Sequence, residues 1–365
     1  MNTSAQAPGP LGSAAPDVGT TCRPWPVEAP AGPARLEQPA TLLRLDGPDS
    51  LRFLHGQSSQ DLQLARPGQW RRSCCLTPTA RVTALVEVLA DDAGAWLVIT
   101  AGEATSVREQ LDRVLFPADQ VQLGPLEPVR LIEPVPAPEP PSTPEPPEPP
   151  EPTEASGQWL PLDGDPEAGF RLGDSLLVLR GETSLPSDVA PRTPLGADSG
   201  EQWRISQGRP ALPGELNGES NPFELGLAAR VSLSKGCYVG QETLARLVTY
   251  DGIKQQLRRW HWQGSAAEAA AWLERLQPGQ PLITPAGEKA GRITSCLQLE
   301  ASLSPAESEP DSEPVRLIGL ALVRRAALAE PWLTASTASG TTTDTAENGP
   351  VLVLSLPEGF TLPAA

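Results

Sequence analysis

The stretch SKGCYVGQE (residues 234–242) holds Cys237 in a loop bracketed by Gly236 and Gly240, with Lys235 before it and Gln241 and Glu242 after it. Upstream, ARVSL (229–233) reads as a strand; downstream, ETLARLVTY (242–250) reads as a helix. The stretch is therefore read as a strand-to-helix loop. Such loops present backbone N–H groups, and the helix N-terminus adds partial positive charge. Lys235 adds a full charge, and these surroundings favour a thiolate at Cys237. Gly236 and Gly240 permit close backbone approach or positive φ. Gln241 and Glu242 offer an amide and a carboxylate to the edge of a heterocycle. Spacing alone gives equal weight to Cys237 as a small buried hydrophobe, since free cysteine is among the most buried residue types. The loop lacks the GK[ST] ending of a phosphate-binding loop and the GxGxxG of a dinucleotide fold, so nucleotide hydrolysis is not indicated.

At 365 residues the chain is long enough for two or more domains. A formal charge of −17 repels phosphate backbones and anionic membranes, so no direct nucleic-acid partner is expected. Two basic clusters, Arg71 with Arg72 and Lys254 with Arg258 and Arg259, read as solvated surface charge. The five cysteines show no metal-ligand spacing and no disulfide framework; no metal site is expected, and the scarcity fits a reducing cytosol. The first residues lack a basic start followed by an apolar run, and no stretch approaches about 20 apolar residues. A cytoplasmic protein without a membrane partner is the expectation, as is a monomer. His55 and His261 sit in no triad context, and no GxSxG elbow is present.

Composition divides the chain. Residues 1–34 read as a disordered tail. In 35–133, ATLLRLDG (40–47) reads as a strand, 49–62 as a helix, 71–100 as a hairpin of strands and 103–116 as a second helix, an α+β layer. Within the hairpin, Val82, Ala84, Val86 and Val88 alternate with Thr83, Leu85 and Glu87. Residues 134–157 (PVPAPEPPSTPEPPEPPEPTEASG) are a proline- and glutamate-rich linker or insertion. A second folded block spans 158–263. The remainder, 264–365, carries short strands suited to a small β-barrel, interrupted by low-complexity insertions at 302–314 and 334–349. No internal repeat is found.

The run Lys235-Gly236-Cys237-Tyr238-Val239-Gly240-Gln241-Glu242 resembles the K-G-C-Y-x-G-Q-E signature of YgfZ-type folate-binding proteins, relatives of the glycine-cleavage T-protein (aminomethyltransferase). Matches in order at 45–62, LTPTARV (76–82), 111–123, WRISQGRP (203–210), NPFELGL (221–227) and GEKAGRITS (287–295) extend it over most of 40–330. The resemblance implies a T-protein-like α+β fold: two related halves, 35–133 and 158–263, around a central folate channel, and a small C-terminal β-barrel. It implies tetrahydrofolate or a related folate as cofactor. It places Glu224 and Arg204, the loop residues Gly236, Tyr238, Gly240, Gln241 and Glu242, and also Gln57, Asp61 and Thr77, near that channel. It makes Cys237 the functional thiol, assisted by Lys235. The catalytic acidic positions of the T-protein fall on Ala84 and Leu85, and the glutamate of its R-L-E-A-G segment on Ser206. An apolar side chain accepts no proton from an aminomethyl amine, so a working aminomethyltransferase is not expected. The implied role is a folate-binding accessory protein for iron–sulfur cluster assembly or repair, with iron–sulfur clients or assembly proteins as partners and an indirect effect on tRNA modification. The alternatives are an active folate-dependent aminomethyl- or methyltransferase and an interaction scaffold working through PEPPEPPEP.

Overall fold

The computed structural model describes residues 25, 30, 32–136, 156–299, 315–336 and 349–363. Most of the expected tail, most of the Pro/Glu-rich linker and most of the two low-complexity insertions lie outside the described residues.

The first long sheet is built from strands β1 Ala34–Asp46, β2 Gln69–Leu76, β3 Val82–Ala90, β4 Gly94–Gly102, β5 Gln122–Val135, β6 Ser156–Leu162, β7 Asp165–Leu172, β8 Leu176–Arg180 and the short β9 Thr193–Pro194. Its order is β4-β3-β2-β6-β7-β8-β5-β1-β9, and β1 pairs β4 as well as β5. β1 runs antiparallel to β5 over its whole length and gives Thr41–Asp46 of its other edge to β4. The sheet thus closes on itself, and strands from both sides of the linker share it. Helices α1 Ser50–Gln57 and α2 Ala104–Val114 lie against β3–β5, burying Phe53, Leu54, Val107 and Leu111 among Leu43, Val86 and Leu97. The inner face carries Leu42, Trp70, Leu131, Phe170 and Val178. Each such side chain contributes about 1.5–3 kcal/mol on burial.

The hairpin read from alternation is present: β3 pairs β4 with Val86 opposite Ile99 and Val88 opposite Leu97. Both expected helices form, and each is shorter than read. α1 stops at Gln57 because Ser58 is extended, its hydroxyl donating to Leu54 O at 2.9 Å. The strand read at 229–233 is not one. A single 3-10 turn, Ala228–Arg230, stands there, because the Arg230 guanidinium turns inward to Ser73 O and Val86 O.

Helix α3 Ala197–Gln207 ends on Gly208 at φ 67°, and helix α4 Gln241–Thr249 follows the cysteine loop. The closed barrel has the order β10-β13-β12-β11-β14-β15: β10 Gln255–Gly264, β11 Pro281–Ile283, β12 Lys289–Leu299, β13 Val315–Arg324, β14 Trp332–Ala335 and β15 Val351–Ser355, with helix α5 Ala266–Leu273 against it. β10 already belongs to the barrel, so the barrel starts at residue 255 rather than at 264. A shared core of Phe223, Leu225, Leu244, Leu257, Ile318 and Leu320 ties the barrel to the closed sheet. The fold is strand-rich α+β with a small C-terminal barrel, as the sequence resemblance implied.

Candidate functional site

The residues expected at one site fall in three places. The first is the cysteine loop. A helix leaves its last four carbonyls without intrahelical partners. At the end of α1, two of these are met by the loop: Val239 N donates to Gly56 O at 3.1 Å, and Lys235 Nζ donates to His55 O at 2.5 Å. The same ammonium reaches Ser58 O (2.7 Å) and Gln60 O (2.8 Å) and stands 4.2 Å from the Tyr238 ring centre. Its three N–H groups are all engaged, and Lys235 is only 6% exposed. Burial pushes the ammonium down to about 7. The three carbonyls and the ring face pull the other way, because only the charged form satisfies all of them.

Tyr238 is buried, its hydroxyl donating to Ser232 O, and burial pushes it up to about 12. Gln241 Nε2 donates to Lys235 O at 2.9 Å and closes the loop on itself. Gly240 takes φ 83°, and a Cβ there would stand 3.0 Å from Thr77 O and from Ala80 Cα. Between these fixed points Cys237 is exposed, so the buried-filler reading fails. Burial pushes Cys74 to about 11 and Cys75 and Cys296 to about 12, away from thiolate formation. Among the described cysteines, Cys237 is the exposed one.

Lys235 is thus a clamp rather than a free charge beside the thiol. Glu242 points to solvent and pairs with Arg246 at 2.6 Å. Gln57 is half-buried in the last turn of α1. Asp61 Oδ1 lies 3.2 Å from His55 Nδ1, which also accepts from Leu62 N and Gln63 N; burial lowers the pKa of this imidazole. Thr77 closes the 77–81 turn, accepting from Arg81 N at 3.0 Å.

The second place is an outer cleft of about 690 Å³ where Arg81 and Glu224 meet Asp251, Lys254 and Arg324. Glu224 is buried; its Oε2 accepts from Asn221 N at 3.1 Å and lies 3.5 Å from Arg81.

The third is an interior cavity of about 340 Å³ whose lining includes Arg72, Leu85, Glu87, Leu131, Arg204 and Arg230. Among the expected residues only Arg204 lines it, and its guanidinium is already engaged by Glu201, Glu215, Ser295 Oγ and Arg209 O. The other charged groups here were not expected at the folate channel. Glu87, 1% exposed, accepts from Arg230 at 3.0 Å, and Arg209 pairs with Glu133. Arg72, read as surface charge, is mostly buried beside Glu87. The available signal was the acid in the alternation VTALVEV: Glu87 falls on the face of Leu85, two residues away on the same strand. Arg258 and Arg259 are likewise part-buried, the latter holding Ser206 O and Ser355 Oγ.

No family model matches the chain. A chloroplastic protein of Arabidopsis thaliana that carries the name "putative transferase" is 30% identical over 260 residues, 67% of this chain; the chain spans 56% of that protein's length. The glycine cleavage system aminomethyltransferase T of Bartonella henselae superposes with a TM-score of 0.60 at 16% identity, covering 92% of this chain and 88% of that one. The fold is that of the glycine-cleavage T-protein. No helix among the described residues is long and apolar enough to cross a membrane.

Proposed function

We propose that the chain is a YgfZ-type protein that binds tetrahydrofolate or a related folate in its interior cavity. On this reading it presents Cys237 at the surface to iron–sulfur client or assembly proteins. The observation that carries the reading is the cavity itself: about 340 Å³ inside a closed T-protein-like sheet, with leucines beside buried charges. Small-molecule sites are concave, mainly apolar, and fix their ligands with a few placed polar groups. Leu36, Leu85 and Leu131 suit the faces of a flat heterocycle, and Arg72, Glu87 and Arg230 suit its hydrogen-bonding edge. A bound tetrahydrofolate would supply one-carbon or redox chemistry; the chain's residues bind it, orient it and keep water from it.

Leu85, at a position where the T-protein resemblance calls for an acid, lines the cavity and accepts no proton. This favours an accessory role over aminomethyl transfer. One cysteine holds no cluster alone, so cluster ligands come from the partner, and effects on tRNA modification come through iron–sulfur enzymes. The second reading is a folate-dependent aminomethyl- or methyltransferase, favoured by Glu87 on the same face of β3 as Leu85 and by the name of the Arabidopsis relative.

Calorimetric titration with tetrahydrofolate, beside Cys237→Ala, tests the first reading. Micromolar binding retained by the variant is the expected result, and no binding by the native chain would sink it. One-carbon turnover by the native protein would favour the second.

A further inference from the structure

Arg72 and Glu87 stand opposite one another in the β2–β3 register. Both line the interior cavity. Arg230 donates to Glu87 Oε1 and is otherwise committed to Ser73 O and Val86 O. Glu87 Oε2 is left without a hydrogen-bond partner, and so is Arg72 Nε, 3.8 Å from it. That separation is too long for a hydrogen bond. The neighbouring Arg209–Glu133 pair is satisfied within itself. The cavity therefore holds one buried acceptor short of a donor, side by side with a donor short of an acceptor. A buried carboxylate oxygen without a donor is unfavourable, so the pair is complementary to a group that offers N–H and C=O on adjacent atoms.

We infer that Glu87 and Arg72 read the lactam edge of a bicyclic heterocycle, Glu87 accepting the ring N–H and Arg72 donating to the neighbouring carbonyl oxygen. The inference rests on the folate reading only for the kind of ring. It assigns head-group specificity to two residues of β2 and β3 rather than to the cysteine loop or Glu224. Arg230 is a positioning residue in this arrangement: it holds Oε1 and leaves Oε2 without a donor.

The test compares folic acid, which carries the lactam, with aminopterin, whose 4-amino group replaces the carbonyl and removes the adjacent N–H. A site built to hydrogen-bond one group rejects the analogue that lacks it. Calorimetry on the native chain should show folic acid bound at least about tenfold more tightly. Arg72→Met, which removes the donor, should collapse that preference. Glu87→Gln, which presents N–H to N–H, should weaken folic acid by about tenfold or more. Thermal melts of both variants check folding, and the ligand comparison on the native chain needs no variant. Equal binding of the two ligands by the native chain overturns the lactam assignment and leaves the folate reading standing. Binding of tail-less pterin in preference to 2,4-diaminopteridine, with no binding of any folate, supports the assignment and sinks the folate reading. No binding of any lactam overturns both.

Discussion

Lys235 shows how one side chain can look catalytic in a sequence and be structural in space. Its charge was expected beside the thiol; instead it sits on the carbonyls of His55, Ser58 and Gln60 under the Tyr238 ring. A cation at a helix C-terminus is favourable, and here it also fixes the route of the chain into Cys237. Lys235→Met keeps the volume and removes the donors, leaving three carbonyls in a site too closed for ready hydration. We expect a loss of about 2–4 kcal/mol in unfolding free energy, summed from unsatisfied groups at about 1–3 kcal/mol each and partial relaxation. Amide exchange across 231–241 should quicken. Loop protection left unchanged in the variant would mean that Lys235 does not clamp the loop.

At the scale of elements, periodicity was a good guide wherever local sequence sets the outcome. The β3–β4 hairpin and the helices α1 and α2 follow from alternation and from the i, i+4 spacing of Val107 and Leu111. It failed at 229–233, where Arg230 is drawn to carbonyls of β2 and β3, distant in sequence. It failed again at the cavity, because Arg72 and Glu87 become a pair only through strand register. The cysteine loop was legible as a motif, but its partner, the open end of α1, was not. Helix α5 is likewise set by its local sequence. Ser265 caps it, accepting from Glu268 N, and Glu268 in turn accepts from Ser265 N and Oγ. Those contacts, the Ser265 hydroxyl first, hold the Glu268 carboxyl below its usual range. A lowered carboxyl gives stability that is present above its ordinary pKa and lost as pH falls through the folded value. Ser265→Ala should therefore destabilise by about 1 kcal/mol near neutrality and by less near pH 3. Urea midpoints of both proteins at the two pH values measure this; an equal difference at both would show that the box does not depend on the ionised form.

For the molecule as a whole, the question is what couples the closed sheet to the barrel. Besides the shared apolar core, several polar links cross the junction, and the most buried centres on Arg204 and Glu215. Arg204 on α3 donates to Glu215 at 3.3 Å and to Ser295 on β12 at 2.7 Å, and Ser295 donates to Glu215 at 2.7 Å. Glu215 is 1% exposed, so its charge depends on this link. Arg204 was expected to serve the folate, and it does line the cavity; its hydrogen bonds run to Glu201, Arg209 O, Glu215 and Ser295. Breaking a buried pair by removing one partner costs about 3–5 kcal/mol, because the other charge stays buried. Arg204→Met should lower stability by that amount. Arg204→Met with Glu215→Gln should recover part of it, since the uncompensated charge is gone, and the double-mutant cycle should give a coupling of about 1–3 kcal/mol. A folate ligand would behave otherwise. Arg204→Met would then abolish folate binding at an unchanged unfolding midpoint, and Glu215→Gln would neither help nor harm. Calorimetric melts of the four proteins, with and without tetrahydrofolate, separate the two roles. The junction role predicts that the loss appears in the ligand-free melts.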